Sequence, residues 1–421
     1  NNYQFSHILI TSAKIISLNY GIIVMMNNIT KEEVPKMNNF VFHNPTKLVI
    51  GKGTAEKIGE YLKKDGIKKV LLLYGGGSIK KNGVYEKVVR SLTEYGIEKV
   101  EVSGVRPNPV LSKVHEAIEV ARKEQVQAIL AVGGGSVVDS AKAVAAGFYY
   151  EGDIWDAFIG KYNIKKALPL YAILTMSATG TEMNGNAVVT NEKTGEKFYF
   201  GSKYTYPVLS IVDPTTQFSL PKEQVVYGAI DAISHVMEYY FDTVGSSLID
   251  RIDEGIIKTL IETTEIILKE PENYEARTNY CLATTLALNG LTGMGTNGGD
   301  WSSHELEHSI SALKPEVAHG AGLAIIFPAW LTYVKDKISD KLISFGKHIL
   351  NLKEEITPER TIKELKNWYS SIGAPVSLKD VGITKDDIDF LVEHAAKHAP
   401  FGTVIPLNEE DIRKIYEIAF E

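Results

Sequence analysis

Long apolar runs alternate with amphipathic segments along the first half of the chain. KKVLLLY (68–74), AILAV (128–132) and LPLYAILT (168–175) are apolar almost throughout, and VEVSGV (100–105) is a shorter extended run. Between them, GVYEKVVRSLTEYG (83–96), LSKVHEAIEVARKEQ (111–125) and SVVDSAKAVAAG (136–147) place apolar residues three and four apart. Strands with no polar face, separated by helices, predict a parallel sheet flanked by helices, because crossovers between parallel strands pack on both faces of the sheet. NAVVTNEKTGEKFYF (186–200) alternates instead and predicts a hairpin around Lys193-Thr194-Gly195. After PVLSIVDP (207–214) strand patterns nearly vanish, and ISDKLISFGKHIL, TIKELKNWYSSIG and NEEDIRKIYEIAF read as one helix after another. The pattern predicts an α/β domain over 37–215 and an all-helical C-terminal domain over 216–421, with a ligand cleft between them.

The stretch before residue 37 does not join this pattern. ILITSAKIISLNYGIIVMM (8–26) is apolar, but Lys14 interrupts it, no basic residue precedes it and no small-residue cleavage site follows. It is a poor membrane span for the same reason. Met37 opens MNNFVFHNPTKLVIGKG, which reads like a natural start, so residues 1–36 are expected to be an extension outside the fold.

Charge and cysteine use remove several function classes. The chain has 421 residues and a net charge of −7, and no basic run is longer than a pair such as Lys80-Lys81. Nucleic acid and anionic membranes are therefore not expected partners. The single cysteine, Cys281, excludes an internal disulfide and fits a reducing, cytoplasmic location.

Two glycine clusters follow strands: YGGGSIKK (74–81) and VGGGSVVDSAK (132–142). Glycine there lets backbone approach a phosphate, and two such turns in one sheet can serve the two ends of a dinucleotide. Neither has the G-x-G-x-x-G spacing, and no G-x-x-x-x-G-K-[ST] is present to indicate a kinase. An acid at the end of the first strand would repel a 2′-phosphate. The chain offers Gly75 to Ser78 there, followed by Lys80 and Lys81, which predicts NADP(H) in preference to NAD(H).

The second half carries the candidate metal ligands. GAIDAISHVMEYY places Asp231 and His235 four residues apart on one helix face, and His304 and His308 repeat that spacing. His319 lies further on. A carboxylate and imidazoles suit one divalent metal such as Fe²⁺ or Zn²⁺. Asp231 sits in apolar surroundings, where an unpaired carboxylate would be unfavourable. Spacing alone leaves open which of His304, His308 and His319 complete the set.

From about Met37 onward the chain resembles the iron-containing, or group III, alcohol dehydrogenases, and among them the NADPH-dependent butanol dehydrogenase and aldehyde reductase branch. GGGSVVDSAK, LTMSATGTEMN, GAIDAISHVMEYY, DWSSHELEH and HGAGLAIIFPAW carry the resemblance. It implies an N-terminal dinucleotide-binding domain and a C-terminal domain holding the metal through Asp231, His235, His304 and His319. His308 would be the extra histidine near the nicotinamide, and its ordinary pKa of about 6.5 would suit a proton relay. The resemblance places Gly75, Gly76, Gly77, Ser78 and Asn108 around the adenosine ribose, and Gly133, Gly134, Gly135, Ser136 and Asp139 at the pyrophosphate. It places Thr175, Thr179 and Asn184 beside the nicotinamide, with Lys197 reaching the cofactor from the hairpin. The interval from His304 to His319 is one residue longer than in many relatives, in the loop around LKPEVA.

The implied reaction is hydride transfer between NADP(H) and a carbonyl polarised by the metal. No Lys or Arg occurs from Thr278 to Leu313, and Trp301, Leu306, Ile310 and Phe327 are nearby in sequence. This predicts a small uncharged aldehyde or alcohol as substrate. A homodimer is implied by the resemblance. The alternatives within the fold are a polyol dehydrogenase or a metal- and NAD-using synthase acting on a sugar acid; outside it, a non-catalytic metal-binding sensor.

Overall fold

The computed structural model describes residues 37–421 and, of the preceding stretch, the backbone of two short strands. Those strands, β1 (Lys14–Leu18) and β2 (Gly21–Met25), pair antiparallel and belong to a unit of their own. The rest of the expectation for residues 1–36 lies outside the described residues.

Among the described residues, 37–421 contain one six-stranded parallel sheet and one hairpin. The sheet strands are β3 (Lys47–Ile50), β4 (Lys69–Tyr74), β5 (Glu98–Val102), β6 (Ala128–Gly133), β7 (Leu170–Leu174) and β10 (Leu209–Val212), in the order β3-β10-β7-β6-β4-β5. The hairpin pairs β8 (Asn186–Asn191) with β9 (Glu196–Gly201) around a turn whose Gly195 has φ +75°. Alternate side chains of β4 enter two different cores. Leu71 and Leu73 face one, while Val70, Leu72 and Tyr74 face the other. This two-sided burial is what the uninterrupted apolar runs encode.

β3 is the one sheet strand that the pattern reading missed. It has only four residues, Lys47 at its start is exposed, and it lies at the sheet edge beside β10. Its identity as a strand comes from its neighbour, which supplies the pairing, and not from its own apolar content.

The helices around the sheet are α1 (Ile58–Lys64), α2 (Ser78–Lys81), α3 (Val84–Glu94), α4 (Leu111–Lys123), α5 (Gly135–Gly147) and α6 (Trp155–Phe158). The strand order reverses between β4 and β6. From β4 the chain crosses to β5 on one side, then returns past β4 to β6 and continues to β7 and β10 on the other. The carboxyl ends of β4 and β6 therefore flank a crevice, the place where open parallel sheets bind ligands. Both glycine clusters begin there.

Beyond β10 the described residues are almost wholly helical. They form α7 (Lys222–Tyr240), α8 (Ser247–Lys269), α9 (Tyr274–Ala287), α10 (Ser302–Leu313), α11 (His319–Val334), α12 (Ser339–His348), α13 (Pro358–Ser371), α14 (Ile388–Ala396) and α15 (Glu409–Phe420). α7 is buried on nearly all sides from Val225 to Met237. Polar groups on it must therefore find partners inside the protein. No described helix is long and apolar enough to cross a membrane.

Candidate metal centre and cofactor crevice

Three helices bring the candidate ligands together. Asp231 and His235 lie one turn apart on α7, His304 lies in the first turn of α10, and His319 is the first residue of α11. Asp231, His235 and His304 each present a ligand atom, all within 4.8 Å of one another, and all three are buried. His319 Nε2 stands 3.8 Å from Asp231 Oδ1, as does His235 Nε2. Residues 314–318 join α10 to α11, and His319 at the start of α11 reaches the cluster.

Glycine sets the approach of α11 to its neighbours. A Cβ on Gly320 would lie 2.1 Å from the Tyr227 carbonyl oxygen of α7. A Cβ on Gly322 would lie 2.7 Å from the Glu307 side chain of α10. The small residues after His319 thus let three helix backbones close to the distance at which their side chains can share one ion.

Two buried carboxylates fix the imidazole rings, and the sequence reading missed both. His304 Nδ1 lies 2.7 Å from Glu238 Oε1, and His319 Nδ1 contacts Glu307 Oε2. Glu238 and Glu307 are fully buried. With each Nδ1 held as the donor, Nε2 of each ring is left as the lone-pair nitrogen that a metal requires. Glu238 Oε2 also accepts the Trp301 backbone N–H at 2.6 Å. Trp301 has a left-handed backbone, φ 61°, a conformation unfavourable for a bulky residue, and the Glu238 bond holds it where α10 starts. Asp300 beside it accepts backbone N–H groups of Thr403 and Val404, each at 2.7 Å, and so ties the loop before α15 to the start of α10. The available signal was helical spacing: Glu238 follows His235 by three residues, and Glu307 follows His304 by three.

The remaining atoms are those of a site built for a cation. Asp231 Oδ1 and His304 Nε2 are buried and have no hydrogen-bond partner among the described residues. Buried polar atoms are rarely left so, because each unmade bond is costly. A divalent ion accepting lone pairs from a carboxylate and imidazoles satisfies them, so the residues present fit the group. Burial pushes His235 and His304 down to about 3, which keeps both neutral and able to donate lone pairs at pH 7. Desolvation and the neighbouring Asp300 push Glu238 well above the usual carboxylate range, against the hydrogen bonds from Trp301 and His304.

His308 sits beside this group, its ring centroid 5.9 Å from that of His319. The expectation of an ordinary imidazole pKa is not met. Desolvation, then the charge of Lys197, hold it well below 6.5, although about a quarter of its side chain remains exposed. It is neutral at pH 7. Its Nδ1 is 3.8 Å from Glu305 Oε2, and Glu305 contacts the more exposed His398.

Leu306, Ile310 and Phe327 are fully buried, and the Trp301 ring lies 5.1 Å from the His304 ring at the histidine cluster. A basic residue arrives from the hairpin: Lys197 on β9 exerts its charge on His304, His308 and Asp139.

In the crevice, Gly75 follows the last residue of β4, and Gly77 takes φ +108°, open only to glycine without strain. Ser78 opens α2. Asn108 also has a left-handed backbone, φ 51°. Gly133 closes β6, where a Cβ would strike Val137 at 2.5 Å, and a Cβ on Gly135 would meet Thr179 Oγ1 at 2.8 Å. Gly134 and Ser136 lie between and beside them at the head of α5 and stay partly exposed, as a phosphate would need. Thr175 N–H bonds the Gly133 carbonyl at 2.9 Å, which joins the third cofactor segment to the second.

Asp139 and Asn184 are both hydrogen-bonded within the protein. Asp139 accepts from Thr181 Oγ1 at 2.5 Å and Val188 N–H at 3.1 Å. The amide of Asn184 makes four bonds within the protein: its Nδ2 donates to Gly180 and Leu288 carbonyls, and its Oδ1 accepts from Lys142 and Asn186 N–H. Its hydrogen-bonding capacity is filled. Lys142, fully buried, donates to Thr181 Oγ1, Asn184 Oδ1 and the Asn186 carbonyl, and burial lowers it to about 8. These residues brace α5 against the hairpin and the helical half.

Comparison with known proteins agrees with this architecture. Residues 45–214 match the model of the family described as iron-containing alcohol dehydrogenase, and residues 225–420 match the C-terminal model of the Fe-containing alcohol dehydrogenase family. The chain is 43% identical to a probable NADH-dependent butanol dehydrogenase 2 of Bacillus subtilis, over 90% of this chain and 99% of that one. It is 37% identical to the NADPH-dependent aldehyde reductase YqhD of Escherichia coli, over 91% and 100%. A crystal structure of NADH-dependent butanol dehydrogenase A from Thermotoga maritima superposes with a TM-score of 0.89 at 57% identity, covering 92% of this chain and 100% of that one.

Proposed function

Since the chain belongs to the iron-containing alcohol dehydrogenase family and is an NAD(P)-dependent oxidoreductase, we propose that it interconverts small aldehydes and primary alcohols, taking NADP(H) in preference to NAD(H). The observation that carries this reading is the convergence of Asp231, His235, His304 and His319, with Glu238 and Glu307 fixing two of the rings. Asp231, His235, His304 and His319 would hold one Fe²⁺ or Zn²⁺ ion. When bound, the ion supplies Lewis acidity toward a carbonyl oxygen and the nicotinamide supplies or takes a hydride.

The chain's own residues do the rest. Glu238 and Glu307 keep the ring nitrogens facing the site available, so the ligand set is organised before an ion arrives. Trp301 covers one side of the cluster. His308, neutral at pH 7, offers one ring nitrogen as donor and one as acceptor, and from it Glu305 and His398 lead toward solvent. Gly75 to Ser78 and Gly133 to Ser136 receive the two ends of the dinucleotide across the crevice. Thr175 and Thr179 line the segment between them and the metal site. Lys197 approaches from β9.

Two features support the NADP(H) preference. No acid stands in the turn after β4, and Lys80 and Lys81 follow it. The neighbouring carboxylate, Glu101, is occupied by Tyr74 and Tyr85 hydroxyls and by Lys99.

Anaerobic reconstitution with Fe²⁺, Zn²⁺, Mn²⁺ or Ni²⁺, followed by rates for an aldehyde panel with NADPH and NADH, tests the reading. It expects metal-dependent NADPH oxidation with short aliphatic aldehydes. Equal rates in the metal-free and reconstituted protein would refute it.

A further inference from the structure

A polar cluster stands beside the turn after β4. Tyr74 is the last residue of β4 and Glu101 lies on the adjacent β5, opposite Leu72. Glu101 Oε2 accepts from the Tyr74 hydroxyl at 2.9 Å, and Oε1 accepts from the Tyr85 hydroxyl at 2.7 Å. The two rings lie 5.8 Å apart, centroid to centroid. Lys80 folds back over them, its ammonium 5.1 Å from the Tyr74 centroid and 4.7 Å from the Tyr85 centroid. Lys99, which contacts Glu101, approaches the outer side of Tyr85 at 5.9 Å.

This arrangement bears on cofactor choice. Lys80 begins one turn from Gly77, whose carbonyl accepts its backbone N–H at 3.1 Å. A 2′-phosphate seated in the Gly75–Ser78 turn would therefore be within the span of its flexible side chain. Lys80 is exposed, so its position reflects attraction to the tyrosine faces and to Glu101 behind them, not packing. Both Glu101 oxygens are already engaged inside the protein, Oε1 by Tyr85 and Lys99 and Oε2 by Tyr74. The charge of Glu101 acts on the lysine.

We propose that Tyr74, Tyr85 and Glu101 form a resting place for Lys80, and that competition between this cluster and a 2′-phosphate for the Lys80 ammonium sets how strongly NADPH is favoured over NADH. Glu101 and Tyr85 are thus specificity-determining residues that do not touch the nucleotide. The proposal rests on the reading that the dinucleotide occupies the two glycine turns. It makes the preference graded, because the lysine is shared.

Dissociation constants for NADPH and NADH, read from nucleotide fluorescence with the full-length metal-loaded protein, test it with E101Q, K80M and the double variant. E101Q should tighten NADPH about two- to fivefold, the factor corresponding to one screened surface charge interaction, and leave NADH unchanged. K80M should weaken NADPH about tenfold, the loss of one charge-assisted contact, and leave NADH unchanged. In the K80M background E101Q should have no effect. An E101Q effect that persists without Lys80 would assign it to Lys99 or to the general potential and overturn the proposal. So would an unchanged NADPH constant in K80M. Y85L, which removes one aromatic face and keeps Glu101, should tighten NADPH in the same direction and serves if E101Q does not fold by circular dichroism. A wild-type protein that binds neither nucleotide overturns the glycine-turn reading and this proposal together; binding of both with no Lys80 dependence overturns this proposal alone.

Discussion

Replacing Glu238 by glutamine removes one acceptor while keeping the shape. In the protein both carboxylate oxygens accept: Oε1 lies 2.7 Å from His304 Nδ1, and Oε2 accepts the Trp301 N–H at 2.6 Å. A glutamine has one oxygen and one amide nitrogen, so it can accept only one of these bonds and places N–H against N–H at the other. At a site with no solvent access, a lost partner costs about 1–3 kcal/mol. If glutamine keeps Trp301, His304 loses its anchor and its ordered Nε2 lone pair, and a metal bound there weakens by about 10- to 100-fold, or roughly 1.4–2.7 kcal/mol. If it keeps His304, the start of α10 loosens around Trp301, whose left-handed backbone depends on that bond. The assay is a chelator-competition titration of Zn²⁺ against the wild type and E238Q. Thermal melts of both metal-free proteins separate lost affinity from lost stability. A Zn²⁺ dissociation constant within twofold of the wild type, at unchanged metal-free stability, would refute the role assigned to Glu238.

Further predictions follow from the same geometry. Gly320→Ala would put a methyl 2.1 Å from the Tyr227 oxygen, so α11 must move by about 1 Å to reach ordinary contact; strain of about 1–3 kcal/mol and reduced metal stoichiometry by elemental analysis are expected, and full occupancy would contradict the close-approach argument. Adding the fitting metal at about 1,000 times its dissociation constant should stabilise the folded protein by about 4 kcal/mol in urea melts, and Asp231→Asn should abolish that gain. Lys142 has a folded pKa lowered to about 8 from 10.5, so the unfolded chain binds more protons between those values and stability rises with pH there. Between pH 8 and 9.5 the wild type should gain about 2 kcal/mol relative to Lys142→Met by urea midpoints; parallel pH profiles would show that Lys142 is not held neutral.

The alternation of apolar runs with amphipathic segments was sufficient for the parallel sheet, the hairpin and the helical second half. Burial on two faces leaves no polar positions in a strand, and burial on one face leaves a 3.6-residue rhythm, so both are written locally. The i,i+4 pairs of Asp231 with His235 and of His304 with His308 were legible for the same reason. The glycine turns after β4 and β6 were visible too, although their meeting at one crevice depends on the strand order. β3 was not legible, because its pairing comes from β10.

Local spacing could not say which imidazoles converge. His308 has the same spacing from His304 as His235 has from Asp231, yet it packs against the His319 ring, while His319, fifteen residues from His304, brings its Nε2 within 3.8 Å of Asp231. That outcome is decided by how near α11 comes to α7 and α10, a distance set by Gly320 and Gly322 against partners far away in the chain. The roles of Glu238, Glu307 and Lys197, and the depressed pKa of His308, are likewise properties of the packed interior. Desolvation and the direction of a hydrogen bond exist only once separate helices share the same low-dielectric space.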